Sequence, residues 1–262
     1  MPPTRAQADQ TSDPVPPRSR VPEPTAAFWA AKAVSTALGE AVSDYSIRIM
    51  PPEVAVLLGF AFFVGAVGFQ LTRRRYRPRA YWLAVAAVGV FGTMAADVMH
   101  VALGVPYPVA ATAYAVALAI VFVLWRRVEG TVSVHQITTT RRELFYWAAV
   151  VGTFALGTAV GDFTAVGLGI GYVGSIALFT VAIAVIAAGH RWGRWPAVPA
   201  FWAAYVLTRP WGASVADALA KPIAEGGAGL GSGWVALALT LLLIVLVESM
   251  RRRGATLTPA VA

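Results

Sequence analysis

Eight apolar stretches, each about twenty residues long and separated by short polar breaks, constrain this chain more than any other feature. They run roughly over 26–48, 52–72, 80–103, 107–126, 144–165, 168–189, 199–220 and 234–250. About 20 helical residues cross a hydrocarbon core of about 30 Å. The pattern therefore predicts an all-α integral membrane protein with eight transmembrane helices. Composition agrees: 58% of the residues are hydrophobic, 13% are charged and the mean hydropathy is +0.65, whereas soluble domains carry roughly 25% charged residues. Residues 1–24 are rich in Pro, Ser, Thr and charge, lack the apolar core of a signal peptide, and read as a disordered tail. Residues 25–253 read as a single membrane domain and 254–262 as a C-terminal tail. The absence of cysteine excludes disulfides, thiolate metal sites and a cysteine nucleophile.

The stretches repeat in pairs. Phe28-Trp29, Tyr81-Trp82, Tyr146-Trp147 and Phe201-Trp202 are each followed at one fixed spacing by Gly39, Gly92, Gly157 or Gly212, then by Asp44, Asp97, Asp162 or Asp217. The pattern is aromatic-Trp-x9-Gly-x4-Asp, four times without insertion. It divides the membrane domain into repeats of about 25–75, 80–127, 144–192 and 199–251. Four residues after each Gly stands a small residue: Ser43, Ala96, Gly161 or Ala216. Small residues at this spacing let helix backbones approach, the main packing device in lipid. Gly39, Gly92, Gly157, Gly161 and Gly212 are accordingly assigned to helix packing, and the repeated Trp to the membrane interface.

Basic residues set the predicted orientation. Of the 21 Lys and Arg, 17 fall in the N-terminal tail, in the loops that follow the second, fourth and sixth apolar stretches, or after the eighth. Arg48 and Lys221 lie at the opposite ends, and Lys32 and Arg209 lie within apolar stretches. Cytoplasmic loops are enriched in Lys and Arg, so both termini are expected in the cytoplasm. Runs such as Arg73, Arg74, Arg75 then read as topology signals and contacts to anionic lipid of the bilayer. Nucleic acid is not needed as a partner.

The segments FWAAKAVSTALGEAVSDY, FYWAAVVGTFALGTAVGDFTAVGLGIGY and FWAAYVLTRPWGASVADALAKP resemble the four-fold repeat of an uncharacterised bacterial family of repeat-containing membrane-anchored proteins. The resemblance covers about residues 21–253. It implies a polytopic protein of the bacterial cytoplasmic (inner) membrane and carries no activity with it.

Function must come from ionisable groups placed where they are costly. Each Asp lies about 22 Å along its helix from its Trp, so the four should form one layer in the outward-facing half. One turn earlier, on the same helix face, stand Glu40, Thr93, Thr158 and Ala213. Glu40, Asp44, Thr93, Asp97, Thr158, Asp162 and Asp217 make an oxygen-rich set suited to a divalent cation or to a proton relay. As metal ligands the candidates are Glu40, Asp44, Asp97, Asp162 and Asp217, opposed by Lys32 and Arg209. A divalent cation is the one cofactor this set suggests. Arg209 precedes Pro210, which removes a helix hydrogen bond, so Arg209, Pro210 and Lys32 are candidates for gating or charge pairing. His100, close to Asp97, reads as a hydrogen-bonded bystander.

Two function classes follow. One is a transporter or channel for a small cation, divalent metal or proton, with the Asp layer as its site. The other is a non-transporting membrane module in which the Asp layer is structural and the arginine-rich loops bind a partner. An enzyme is not expected. The polar loops are too short for a soluble domain, and no Ser/His/Asp arrangement, P-loop or dinucleotide fingerprint is present.

Overall fold

The computed structural model describes residues 19–256, and these are all-helical. The helices are α1 (Ala26–Ile49), α2 (Pro52–Leu71), α3 (Pro78–Asp97), α4 (Tyr107–Glu129), α5 (Thr140–Asp162), α6 (Gly171–Arg191), α7 (Ala197–Ala220) and α8 (Ser232–Thr256). Local chemistry sets several of the ends. Thr25 and Thr139 cap α1 and α5 by accepting from the amides of Phe28 and Arg142 at 3.3 Å. Prolines open α2, α3 and α4, where a missing N–H breaks no helix bond. Gly130, at φ +71°, closes α4 in the left-handed conformation.

Six helical segments are long and apolar enough to cross a membrane: Pro52–Leu71, Pro78–His100, Tyr107–Glu129, Thr140–Gly167, Gly171–Arg191 and Ser232–Arg253. The two remaining helices, α1 and α7, carry Lys32, Glu40 and Asp44, and Arg209 and Asp217. Their positions account for the difference. The odd-numbered helices form a closed ring in which α1 packs on α3, α3 on α5, α5 on α7 and α7 on α1. The even-numbered helices lie outside it, with α2 on α3, α4 on α5, α6 on α7 and α8 on α1. A ring helix is covered by protein on several sides, so α1 and α7 bury charge against neighbours. The outer helices expose rows of large apolar side chains, including Leu57, Phe60, Val116, Ile120, Val181, Val185, Leu241 and Val245. Apolar surface on that scale fits lipid. The protein is a multi-pass helical membrane protein built on a repeat.

The repeated glycines sit in the ring seams. A Cβ on Gly39 would lie 2.7 Å from the Gly89 carbonyl carbon, and one on Gly92 would lie 2.8 Å from Phe154 Cβ. On Gly157 it would lie 2.5 Å from Arg209 Cβ, and on Gly212 it would meet Thr36 and come within 2.9 Å of the Ala37 nitrogen. Gly89, Phe154, Arg209 and Thr36 each stand three positions before the repeated glycine of their own helix. One contact therefore recurs around the whole ring. Gly161 is less crowded, with Pro210 Cα 3.4 Å from such a Cβ.

Two expectations are corrected. Trp82, Trp147 and Trp202 are buried inside the bundle with Tyr81, Tyr146 and Tyr205, and are not interface anchors. The aromatic pairs fill one end of the ring, where Trp202 Nε1 donates to the Val132 carbonyl at 2.9 Å and the Tyr81 and Tyr146 hydroxyls are 2.5 Å apart. The second correction concerns the N-terminal tail. Residues 1–18 lie outside the described residues, but 19–24 dock on the bundle. Arg20 N donates to Ile137 O at 2.8 Å, Tyr76 N donates to Ser19 O at 3.0 Å, and Arg20 pairs with buried Glu143 at 3.0 Å. At the other end of the chain α8 runs on to Thr256, so the tail assigned to 254–262 begins as helix, and 257–262 lie outside the described residues.

Gly39→Leu and Gly157→Leu should each lower the thermal stability of the purified protein, by about 1–3 kcal/mol or more, because neither seam has room for a side chain. Gly65→Leu, on α2 where nothing lies within 4 Å of a Cβ, should change it by no more than about 0.5 kcal/mol. Equal melting of all three would mean that the ring seams are not close-packed.

Candidate functional site: an acidic cavity closed by an ion pair

At mid-ring the four inner helices meet around one guanidinium. Glu40, Thr93 and Thr158 occupy equivalent positions of the first three repeats, and Ala213 occupies that position in the fourth. Ala213 brings no polar group, and Arg209, one turn earlier on α7, fills the centre. Its Nη2 lies 2.7 Å from Glu40 Oε2, 2.5 Å from Thr93 Oγ1 and 2.7 Å from Thr158 Oγ1. The two hydroxyls donate to carbonyls of their own helices, Gly89 and Phe154. Their lone pairs are thereby turned towards the cation. Arg209 is fully buried and Glu40 nearly so. The oxygen set read from the sequence thus already holds a cation at this level, and that cation belongs to the protein.

Beyond this ion pair, towards the end of the bundle opposite the basic loops, lies a cavity of about 320 Å³. Glu40 forms part of its wall, and Asp44, Asp97, Asp162 and Asp217 all line it. Lys221, just past the end of α7, places Nζ 2.6 Å from Asp44 Oδ2 and 3.7 Å from Asp217 Oδ1. Burial opposes the charge on Lys221, but Asp217 and Asp44 outweigh it and hold the ammonium above its ordinary pKa. Among the described residues, neither Asp97 nor Asp162 has a hydrogen-bonding or ion-pair partner.

The two unpaired acids differ from the paired ones in their backbone too. Asp97 and Asp162 end regular α-helix, and each is followed by five residues of π-helix, Val98–Ala102 and Phe163–Gly167. Such turns are rare and recur at functional sites. Ten residues after each Asp comes a tyrosine that lines the cavity, Tyr107 or Tyr172. His100 sits in the first π-turn, with Nδ1 2.8 Å from Val105 O and its ring stacked 3.6 Å from that of Tyr107. It is hydrogen-bonded, as expected from the sequence, and its ring packs against Tyr107.

The five candidate metal ligands Glu40, Asp44, Asp97, Asp162 and Asp217 do not close into one coordination sphere. Among the described residues no three His, Asp or Glu side chains are grouped closely enough to hold a metal ion. Glu40 is committed to Arg209 and Asp44 to Lys221, while Thr93 and Thr158 face Arg209. Lys32 lies on the far side of the ion pair, fully buried. Its Nζ has no hydrogen-bond partner among the described residues and sits 4.2 Å from the ring centres of both Phe154 and Tyr205. Pro210 lies in the interior of α7 and packs on Gly157 and Gly161.

Three participants escape a reading of the sequence. Lys221 lies just outside an apolar stretch, and Tyr107 and Tyr172 lie near the starts of two others with nothing local to mark them. The spacing Asp-x9-Tyr in the second and third repeats is the signal that could have found the tyrosines. Glu143 is buried at the basic end, bonded to Arg20 and to Gln70 Nε2 at 2.9 Å, and its sequence neighbourhood of arginines gives no sign of this.

Removing Arg209 alone should leave Glu40 buried without its partner, and Arg209→Met should therefore cost about 3–5 kcal/mol of stability. Pairing Arg209→Met with Glu40→Leu should recover most of that loss in thermal or denaturant unfolding. A double variant as unstable as the single one would show that the two charges do not act as a unit.

No curated protein and no solved structure matches this chain. A family described as a Repeat of Unknown Function (DUF347) matches residues 80–131, 145–194 and 200–254. Each matched segment starts one residue before an aromatic-Trp pair and runs through the following outer helix. With three repeats that span more than half of its length, the chain belongs to the DUF347 repeat family.

Proposed function

We propose that the protein is a transporter or channel for a small cation, crossing the bacterial cytoplasmic membrane eight times with both termini in the cytoplasm. One observation carries this reading: four repeated Asp side chains line a single cavity that is closed at mid-bundle by the Glu40–Arg209 pair. Around the cavity five acids face two bases, Arg209 and Lys221, a formal charge of −3 if all are ionised. An intramembrane excess of carboxylate calls for a cation or for protons. The distribution of Lys and Arg supports a cavity mouth that faces away from the cytoplasm. In the ring α1 and α7 adjoin each other, flanked by α3 and α5 and covered by α8 and α6, four helices that are apolar enough to cross, and this placement supports eight crossings.

The route onward from the cavity meets Arg209. Pro210 removes the backbone bond to the Val206 carbonyl, so α7 is the ring helix whose backbone yields most readily at this level. A small bend there withdraws the guanidinium from Glu40, Thr93 and Thr158 and opens the seal. When the cation departs, neighbouring carboxylates that cannot all stay charged take up protons, which couples cation release to proton movement. Repeats that surround a site at mid-membrane are a common transporter plan.

The test is flux in sealed vesicles containing the purified protein, with monovalent and divalent inorganic cations, protons and small amines as probes. At least one probe should move faster than in empty vesicles, and Asp97→Asn and Asp162→Asn should each slow it at least tenfold while melting as the wild type does. No flux of any probe through folded wild-type protein would overturn the proposal and leave the Asp layer with a structural role.

A further inference from the structure

The cavity is four-fold in its acids but not in the groups around them. Asp44 on α1 and Asp217 on α7 belong to adjacent ring helices, as do Asp97 on α3 and Asp162 on α5. Four residues after each Asp the chain has Arg48, Val101, Val166 and Lys221. The first and fourth repeats therefore carry a cation where the second and third carry valine. On one side of the cavity the Lys221 ammonium lies between two carboxylates, at 2.6 Å and 3.7 Å. On the other side neither Asp97 nor Asp162 has an ammonium or guanidinium within ion-pair distance among the described residues, and Tyr107 and Tyr172 line the same cavity.

We infer that the Asp97 and Asp162 half of the cavity binds the protonated amino group of a small organic amine, in the way that the Asp44 and Asp217 half holds Lys221. The inference rests on the cation reading above and names its substrate class. Lys221 is an internal alkylammonium on the pseudo-symmetric acids, so the protein itself displays how two of these carboxylates hold such a group. The walls agree with an organic body. Val98, Val166 and Met94 line the cavity with Tyr107 and Tyr172, and a tyrosine face attracts an ammonium while apolar side chains cover an alkyl chain. His100 stacked on Tyr107 holds that wall in place. A bare divalent cation asks for something else, six or more closely convergent oxygens, and no group of three His, Asp or Glu among the described residues provides the start of such a shell. The volume of about 320 Å³ lies at the lower end of the roughly 300–1,000 Å³ range of small-molecule sites.

The experiment measures binding of n-butylammonium and 1,4-diaminobutane to the purified full-length protein, by calorimetry and by shift of the melting temperature, beside Na⁺, Mg²⁺, Ca²⁺ and Mn²⁺. The amines should bind and stabilise. Asp97→Asn and Asp162→Asn should weaken them about 10- to 100-fold, the usual effect of losing a charged hydrogen bond. Val166→Lys supplies the second half with a tethered ammonium of its own, and should abolish amine binding in a protein that still melts cooperatively. If an inorganic cation binds and the amines do not, the substrate class is wrong and the cation reading stands. If neither binds, the inference fails, and the cation reading then stands or falls with the proton flux. Amine binding untouched by the Asn variants and by Val166→Lys would place the amine elsewhere and overturn the inference.

Discussion

A guanidinium buried in the middle of a helical membrane protein makes demands on everything around it. Taking Arg209 and Glu40 out of water carries a penalty of several kcal/mol per ion, which their attraction offsets only if geometry and hydrogen bonding are good. Here the glycine seams supply the geometry, since backbones that nearly touch bring residues from four helices to one point. Glu40, Thr93 and Thr158 reach one nitrogen from three directions, and the base of the Arg209 side chain rests on Gly157. The ion pair and the seams thus depend on each other. Rotating any ring helix would both clash at a seam and strand a charge.

That arrangement divides the bundle into two unlike halves. On one side of Arg209 lies the acidic cavity, with Lys221 at its edge. On the other the axis is filled by Lys32 between Phe154 and Tyr205, then by the Tyr81 and Tyr146 hydroxyls, and the end is closed by Glu143, Gln70 and the docked Arg20. Polar groups therefore recur along the whole axis although the outer surface is apolar. A cavity at one end with tight packing at the other fits the proposed transport, with access from one side at a time. The departures from four-fold symmetry fall at the same levels: Ala213 in place of an oxygen, Arg209 in the centre, and one cation, Lys221, beside two of the four Asp.

The ring itself is written in the repeat, because close packing in lipid selects small residues at fixed spacing and Gly39, Gly92, Gly157 and Gly212 keep that spacing. The grouping of the Asp follows from the same regularity. Other features depend on shape that a pattern of residue types does not carry. The apolar outer helices look alike in sequence, so their packing on the following ring helix, with α8 closing on α1, is visible only in three dimensions. The repeated Trp have the composition of interface anchors, yet paired aromatics fill the ring interior. Arg209 stands out as a buried charge, but its reach to three other helices depends on the space left beside Ala213. Lys221 lies outside any apolar stretch, and its pairing with Asp44 across 177 residues has no local signal.

The central claim is that one cavity, open at one end and closed at Arg209, gathers the four repeated Asp. The chain has no native cysteine, so single cysteines report cleanly. Val98→Cys and Val166→Cys, on the cavity wall, and Val85→Cys, buried beyond the seal, should be treated in sealed vesicles with a membrane-impermeant maleimide from each side in turn. The account predicts that Val98→Cys and Val166→Cys react only from the side opposite the arginine loops, and that Val85→Cys reacts from neither. Labelling of the cavity positions from the arginine side, or of Val85→Cys from either side, would contradict it.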